Sequence, residues 1–537
     1  MVNTIAVADT PDEAPGDATS AYAWYVLGVF FLVYCLNFID RQILSILAED
    51  VKRDLGLKDE DLGFLFGTAF GVFHAVFGIP IGRLADQWHR IRLLTLGIGL
   101  WSAATAMCGL AQSSGTLAAA RMGVGVGEAT AGPAAFSMLS DWFPPRLRAT
   151  ALAIYSSGLY LGVGLSLGIG GLLVKSWNEA YPQGGPLGLA AWQAAFLLVG
   201  LLGLPLAALV ATLREPPRGI SEGITSKQSQ TPFRDFLGEL CTIVPPFTIY
   251  SAARLGVRTL MINLSFAVAI AICVLLSHLA GEPLQQWTAV GVGTYSVFSW
   301  SLVLKKRDPV AFGLVIASPA MISTIVAYAL IAGVTYTLGF WAAPYAIREL
   351  AVDTSSVGFL VGGTLAVAGL LGVIAGGAAA DKLKQRYEHG RLLMVAFGTI
   401  APIPFAALAF TTHLLPLFVV GIFCAVASAT SALGGAAATT QDLVLPRMRG
   451  TATAAFFVGG TMLGLALGPY VAGRVSTLTE SLSTGVLSTL AMLPIALGAA
   501  VIAIRTVPRA RAERDGRARS LGEPLFRKRC RTIIDRF

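Results

Sequence analysis

Runs of about 20 apolar residues with hardly a charge among them recur from Tyr22 to Ile504, and they constrain this chain more than any motif does. A hydrocarbon core of roughly 30 Å is crossed by about 20 helical residues, and inside it every backbone N–H and C=O must be bonded within its own segment or a closed barrel. The expected fold is therefore an all-α membrane protein. Spans are expected at 22–47, 62–84, 91–111, 115–141, 149–174 and 191–213, with a second set at 317–345, 357–380, 391–412, 415–441, 450–473 and 484–504. Between the sets, Leu260 to Leu279 and Trp287 to Leu304 are each long enough to cross, for fourteen helices in all. Only 13% of the 537 side chains are charged, which leaves little for a soluble domain.

Charge supplies the orientation. Of the 39 Lys and Arg, 31 fall in alternate loops and tails that share one side, six on the other side and two within spans. That bias puts the rich side in the cytoplasm. The expected layout is a disordered cytoplasmic tail over 1–21, a six-helix bundle over 22–213, and a linker over 214–316 carrying two extra transmembrane helices. A second six-helix bundle over 317–504 and a basic cytoplasmic tail over 505–537 complete it. The first tail carries Asp9, Asp12, Glu13 and Asp17 with no Lys or Arg, the wrong charge for a signal-peptide start. The net charge of +8 is explained by topology, so nucleic acid is not an expected partner. Four of the six cysteines lie inside apolar runs and none forms a metal-type pair, so neither metal nor cofactor is expected.

The sequence repeats. Shifted by 295 residues, 53–86 aligns without a gap on 348–381, and eleven of the 34 positions are identical, including Gly82/Gly377 and Asp86/Asp381. Shifted by 301, 141–158 aligns on 442–459, with Asp141/Asp442, Arg146/Arg447 and Arg148/Arg449 among eight identities. Membrane composition alone yields chance Ala, Gly and Leu matches, but not paired Asp, Pro and Arg at one spacing. Two parallel copies facing each other are the plan of secondary transporters, with a substrate site near the midplane between halves that rock in alternation.

The loop after the second span, with Gly82, Leu84, Ala85, Asp86, Arg90 and Arg92, resembles the signature loop of the major facilitator superfamily, and Gly377, Asp381, Lys382 and Lys384 echo it. "NFIDRQILSIL" in the first span, "ARMGVGVGEATAGP" in the fourth and "DWFPPRLRATALAIY" after it resemble the Spinster-like branch. That resemblance implies proton-linked movement of lysophospholipids or sphingoid-type lipids. Gln87 and His89 depart from the usual loop pattern.

Asp40, Arg41, Arg121 and Glu128 are the carboxylate and guanidinium groups well inside the spans, where an unpaired charge costs at least about 2.5–3.5 kcal/mol. Arg121 and Glu128 are seven residues apart and so share a helix face, separated by roughly 10 Å of rise. Asp40 lies at the depth of Arg121, which makes a pair between them possible. Arg41, about 100° further round, is expected to point elsewhere. Asp40 and Glu128 are assigned to proton coupling, because a carboxyl changes charge with its surroundings. Arg41, Arg121 and, at the repeat position of Arg41, Tyr336 are assigned to substrate binding, since a guanidinium donates in pairs to a phosphate or carboxylate. His74 is a candidate relay. Asp86, Arg90, Arg92, Arg146, Arg148, Asp381, Arg447 and Arg449, at helix ends on the cytoplasmic side, are candidates for a conformational latch.

The expected protein is thus a monomeric, multi-pass transporter of a bacterial inner membrane, with protons, membrane lipids and an amphipathic anionic lipid as partners. Small organic anions such as sugar acids or aromatic acids are the alternative substrate, because Gly125, Gly127, Glu128 and Ala129 also resemble carriers of those compounds. A membrane enzyme finds no support, as the chain has no P-loop and no H-E-x-x-H.

Overall fold

The computed structural model describes residues 20–182, 184–218, 231–445 and 448–521, with backbone alone at 145, 146 and 149. Most of the acidic N-terminal tail, Arg447, the Arg146 side chain and the basic tail beyond Leu521 lie outside the described residues.

Helix α1 (Ala21–Leu55) starts on a Ser20 cap, whose hydroxyl accepts from the Ala23 amide, and stops at Gly56 in the left-handed region with φ 62°. Helix α2 (Asp59–Gln87) follows, then α3 (Arg90–Gly109), α4 (Ser114–Glu128), α5 (Ala131–Trp142), α6 (Pro145–Ala180) and α7 (Ala191–Ala211). Short amphipathic helices α8 (Pro232–Ile243) and α9 (Phe247–Arg254), bent 97° to each other, lead into α10 (Val257–Leu279) and α11 (Leu284–Arg307). The second set is α12 (Pro319–Arg348), α13 (Thr354–Arg386), α14 (Gly390–Thr411), α15 (Leu415–Asp442), α16 (Arg449–Thr479) and α17 (Leu482–Ser520).

Twelve helices among the described residues are long and apolar enough to cross a membrane, or up to thirteen if the bent pair α8–α9 counts as one. The fourteen expected spans are not all among them. The 115–141 segment is broken by a turn at Ala129 and Thr130 into helices of 15 and 12 residues, and α11 is diluted by Gln285, Gln286, Thr288 and several serines. The last helix runs on to Ser520, well past the expected end at 504, because its basic stretch docks on the bundle: Arg514 donates to the Asp442 carbonyl at 3.3 Å, and Ala518 is buried.

Both described ends of the chain lie at one end of the bundle. There the Tyr22 hydroxyl accepts from the Arg214 amide at 2.8 Å and its ring meets Trp142 edge-on at 5.3 Å. At the opposite, far end the two sets are fastened to each other. Arg348 of α12 grips Asp59 of α2 through both terminal nitrogens at 2.8 and 3.0 Å, and also reaches Glu49 at 2.7 Å. Asp59 accepts in addition from Lys52 and from Ser476 of α16, each at 2.6 Å. Below this lock, Gln42 donates to the Gly339 carbonyl at 2.7 Å, Ser45 to that of Phe340 at 2.5 Å, and Phe66 stacks on Phe340 at 4.3 Å.

Two helix irregularities meet in this seam. A π-turn over Phe64–Thr68 in α2 faces another over Gly460–Leu465 in α16, and Thr68 donates to the Ala466 carbonyl at 2.6 Å. π-turns free a carbonyl for outside partners and concentrate at functional places. The backbones approach so closely that a Cβ on Gly63 would stand 2.5 Å from the Pro469 oxygen, and one on Gly67 2.4 Å from that of Leu465. Across the bundle, Gly164 and Gly362 similarly bring α6 and α13 together. None of the polar bonds described at the terminus-bearing end joins the first set to the second. The conformation is therefore closed at the far end.

Candidate functional site

The four intramembrane charges come together on α1 and α4. Arg41 donates to a Glu128 oxygen at 2.7 Å, and the two side chains are 10% and 0% exposed. This corrects the expected arrangement, in which Arg41 pointed away and Asp40 paired with Arg121. The side chain of Arg41 is long enough to turn back toward α4. Aromatic rings hold it there: its guanidinium lies 4.6 Å from the Phe38 centroid and 4.5 Å from that of Phe70. Such cation–π contacts strengthen when water is excluded.

Arg121 takes a different role. It donates to the backbone carbonyls of Asp40 and Leu65, both at 3.4 Å, and its guanidinium lies 5.4 Å from the Phe70 centroid. The Asp40 carboxylate itself is fully buried and lacks a well-formed hydrogen bond, with the Thr105 hydroxyl beside it and Arg121 and Glu128 in electrostatic range. One Glu128 oxygen, the Arg41 Nε and one Arg121 nitrogen are also unpartnered. A buried polar group left unpaired costs about 1–3 kcal/mol. So many together, in a region this dry, mark a place where protons, water or a ligand complete the bonding.

His74 sits on the edge of the same cluster. Its ring stacks on Phe70 at 5.3 Å, and Nδ1 lies 3.3 Å from the Gly125 carbonyl. Gly125 has to be glycine, because a Cβ there would meet the Phe70 carbonyl at 2.5 Å.

Tyr336 of α12 is half-buried and in electrostatic range of Arg41 from the second set. Sequence reasoning singled it out but missed the tyrosines around it: Tyr34, Tyr160 and Tyr328 are also half-buried, and Tyr155 is buried with an unpartnered hydroxyl. Tyr34 stacks on Tyr155 at 4.4 Å and Tyr328 on Phe456 at 4.7 Å. Partial exposure of tyrosines at helix middles on both sets marks a cleft between them. The available signal was tyrosine itself, scarce in lipid-facing positions but common where one ring face is apolar and the hydroxyl needs a partner.

The latch candidates divide. Arg90 is fully buried and fixed within the first set, donating to Asp141 at 2.5 Å, Glu215 at 2.9 Å, Ser137 at 2.8 Å and the Pro216 carbonyl at 2.9 Å. In the second set Arg391, which was not a candidate, plays the matching part, binding Asp381 at 2.8 Å and Asp442 at 3.1 Å. Asp86 is exposed, and its carbonyl rather than its carboxylate accepts from Arg218. Arg92 and Arg449 are exposed, and Arg148 is half-buried.

A bundle of apolar helices, split at a seam that carries buried charges and tyrosines, defines a multi-pass membrane transporter. The family model described as Major Facilitator Superfamily matches residues 30–469, and the chain belongs to that family. It is 29% identical over 475 residues to an "MFS-type efflux pump" of Mycolicibacterium smegmatis, covering 88% of this chain and 89% of that one. It is also 30% identical to a "Probable galactarate/D-glucarate transporter" of Bacillus subtilis, over 39% of this chain and 45% of that protein. Among solved structures it resembles a bacterial homolog of the human lysosomal transporter Spinster in an inward-facing and occupied conformation. That similarity has a TM-score of 0.68 at 23% identity and covers 91% of this chain and 98% of the other.

Proposed function

We propose that this chain is a proton-coupled secondary transporter that works by alternating access and carries an amphipathic anion, of the lysophospholipid or sphingosine-phosphate kind. In this reading the membrane is crossed fourteen times, with the broken pair α4–α5 and the more polar α11 supplying the two further crossings, and both termini are in the cytoplasm. The protein then rests in the bacterial inner membrane with its far end shut and its cleft facing the cytoplasm.

The observation that carries the proposal is the Arg41–Glu128 pair, buried yet incompletely bonded, facing the Tyr336 side of the cleft. An anionic headgroup competes with Glu128 for Arg41. Protonation of Glu128, with Asp40 as a second acceptor, releases Arg41 to the headgroup, and loss of the proton expels it. Arg121, tied to carbonyls, holds α1 and α4 in register and adds positive field. The ring faces lining the cleft from both sets accommodate a long apolar tail, and the tyrosine hydroxyls are partners for a polar headgroup. Flux of a labelled lysophospholipid into proteoliposomes, with and without an imposed proton gradient, tests the reading.

Transport of small organic anions is the second reading, favoured by the relatives named for sugar acids and equally compatible with Arg41. Competition at the site discriminates: displacement of a bound lysolipid by micromolar glucarate supports the small anion, and indifference supports the amphiphile.

A further inference from the structure

We infer that the hairpin α10–α11 is a strap across the α2–α16 seam, anchored on the first set and fastened to the second at the far end through Glu282. The inference takes from the proposed function only that the far end opens, and is independent of the substrate.

The anchor lies at the terminus-bearing end. Glu239 of α8, 4% exposed, accepts from Arg83 of α2 at 2.8 Å, from Arg307 of α11 at 2.7 and 3.3 Å, and from the Trp300 indole of α11 at 3.1 Å. One carboxylate thus joins α8, α11 and α2, and a buried anion with that many donors is costly to pull away. A second buried network joins α10 to α11: Asn263 donates to Ser299 at 2.9 Å and accepts from Tyr295 at 2.6 Å. The hairpin and α2 therefore behave as one body.

The fastening lies at the far end. The chain turns at Gly281, whose φ of 86° suits glycine, and presents Glu282 to α16. Arg474 of α16 donates to Glu282 at 3.3 Å and to the Gly281 carbonyl at 3.0 Å, and the Tyr470 hydroxyl donates to Glu282 at 3.1 Å. Arg474 also binds Glu60 of α2 at 2.6 Å, while Gln285 reaches Asp61 of α2 at 3.2 Å. Between the two ends, α11 fills the groove over the seam: a Cβ on Gly293 would stand 2.4 Å from Met462 of α16 and 2.9 Å from Val72 of α2. Parting α2 from α16 must therefore break the Glu282 contacts as well as Glu60–Arg474. Contacts made in one state only bias the equilibrium toward that state.

The test uses spin labels at Leu187 and Leu414, exposed far-end positions on the first and second sets, in the full chain with its native cysteines replaced. Glu282→Gln and Tyr470→Phe are each expected to raise the long-distance population roughly two- to fivefold, the range for a partly exposed pair. A third label at Leu279 is expected to keep its distance to Leu187 and change its distance to Leu414 as the far end opens. Tyr470→Phe removes one hydroxyl and keeps the ring, so it reads out even where Glu282→Gln folds poorly. A long-distance population present in the wild type and unmoved by either variant would overturn the strap and leave alternating access standing. A Leu279 label that follows Leu414 would overturn the anchorage, and one short distance in every variant would overturn both ideas.

Discussion

Arg41 and Glu128 meet at 2.7 Å between Phe38 and Phe70, and each retains an unpartnered polar atom. A pair so dry is fragile in a specific way, because removing one member strands the other's charge.

Arg41→Ala is therefore expected to destabilise the protein by roughly 3–5 kcal/mol, the usual cost of breaking a buried pair. Arg41→Ala/Glu128→Gln should recover a large part of that loss. Thermal unfolding in detergent, run as a double-mutant cycle, measures it; additive losses would mean that the two side chains do not interact.

Arg121→Ala is expected to lower both stability and flux, with substrate affinity changing less than in Arg41→Lys. Arg121 spends its described bonds on the carbonyls of Asp40 and Leu65, whereas Arg41 faces Tyr336. Binding isotherms for the two variants decide it, and an affinity loss larger in Arg121→Ala would reverse the roles.

How much of this was legible beforehand follows from the same residues. Isolation in an apolar sequence singled out Asp40, Arg41, Arg121 and Glu128, because membrane burial makes any charge conspicuous. Their pairing was misjudged, since a helical wheel places Cβ atoms and ignores how far an arginine can bend back. The 301-residue offset that matched Asp141 to Asp442 also relates Arg90 to Arg391, and both arginines bind those acids, at 2.5 and 3.1 Å. The far-end lock was invisible, because Asp59–Arg348 and Gln42 to Gly339 depend on how two sets dock and leave no local pattern. The break between α4 and α5 was also invisible, because the turn at Ala129 and Thr130 lies in a run of small residues that reads as one continuous helix.

Asp59→Asn is expected to shift the population toward states open at the far end by an order of magnitude or so. It weakens bonds to Lys52, Arg348 and Ser476 together, and bonds to a charged group contribute about 1.5–3 kcal/mol each when well buried. Accessibility of a cysteine at Gly339 to a charged thiol reagent added from the far side reports the opening; unchanged labelling would show that the lock does not hold the gate.

Asp86→Ala should shift the balance the other way, toward the state seen here. The Asp86 carboxylate is exposed in this conformation, so its loss costs little now and weakens any contact it makes with loop arginines when the terminus-bearing end shuts. Spin-label distances across that end should shift toward the longer ones, and an unaltered distribution would reduce the loop to a turn.

The central claim is that Glu128 and Asp40 couple protons to an anion held by Arg41, and flux in proteoliposomes under an imposed proton gradient tests it most directly. The account predicts gradient-driven uptake of a labelled lysophospholipid by the wild type, with that drive abolished in Glu128→Gln and reduced in Asp40→Asn while binding persists in both. Wild-type flux indifferent to the gradient, or a gradient response intact in both variants, would contradict it.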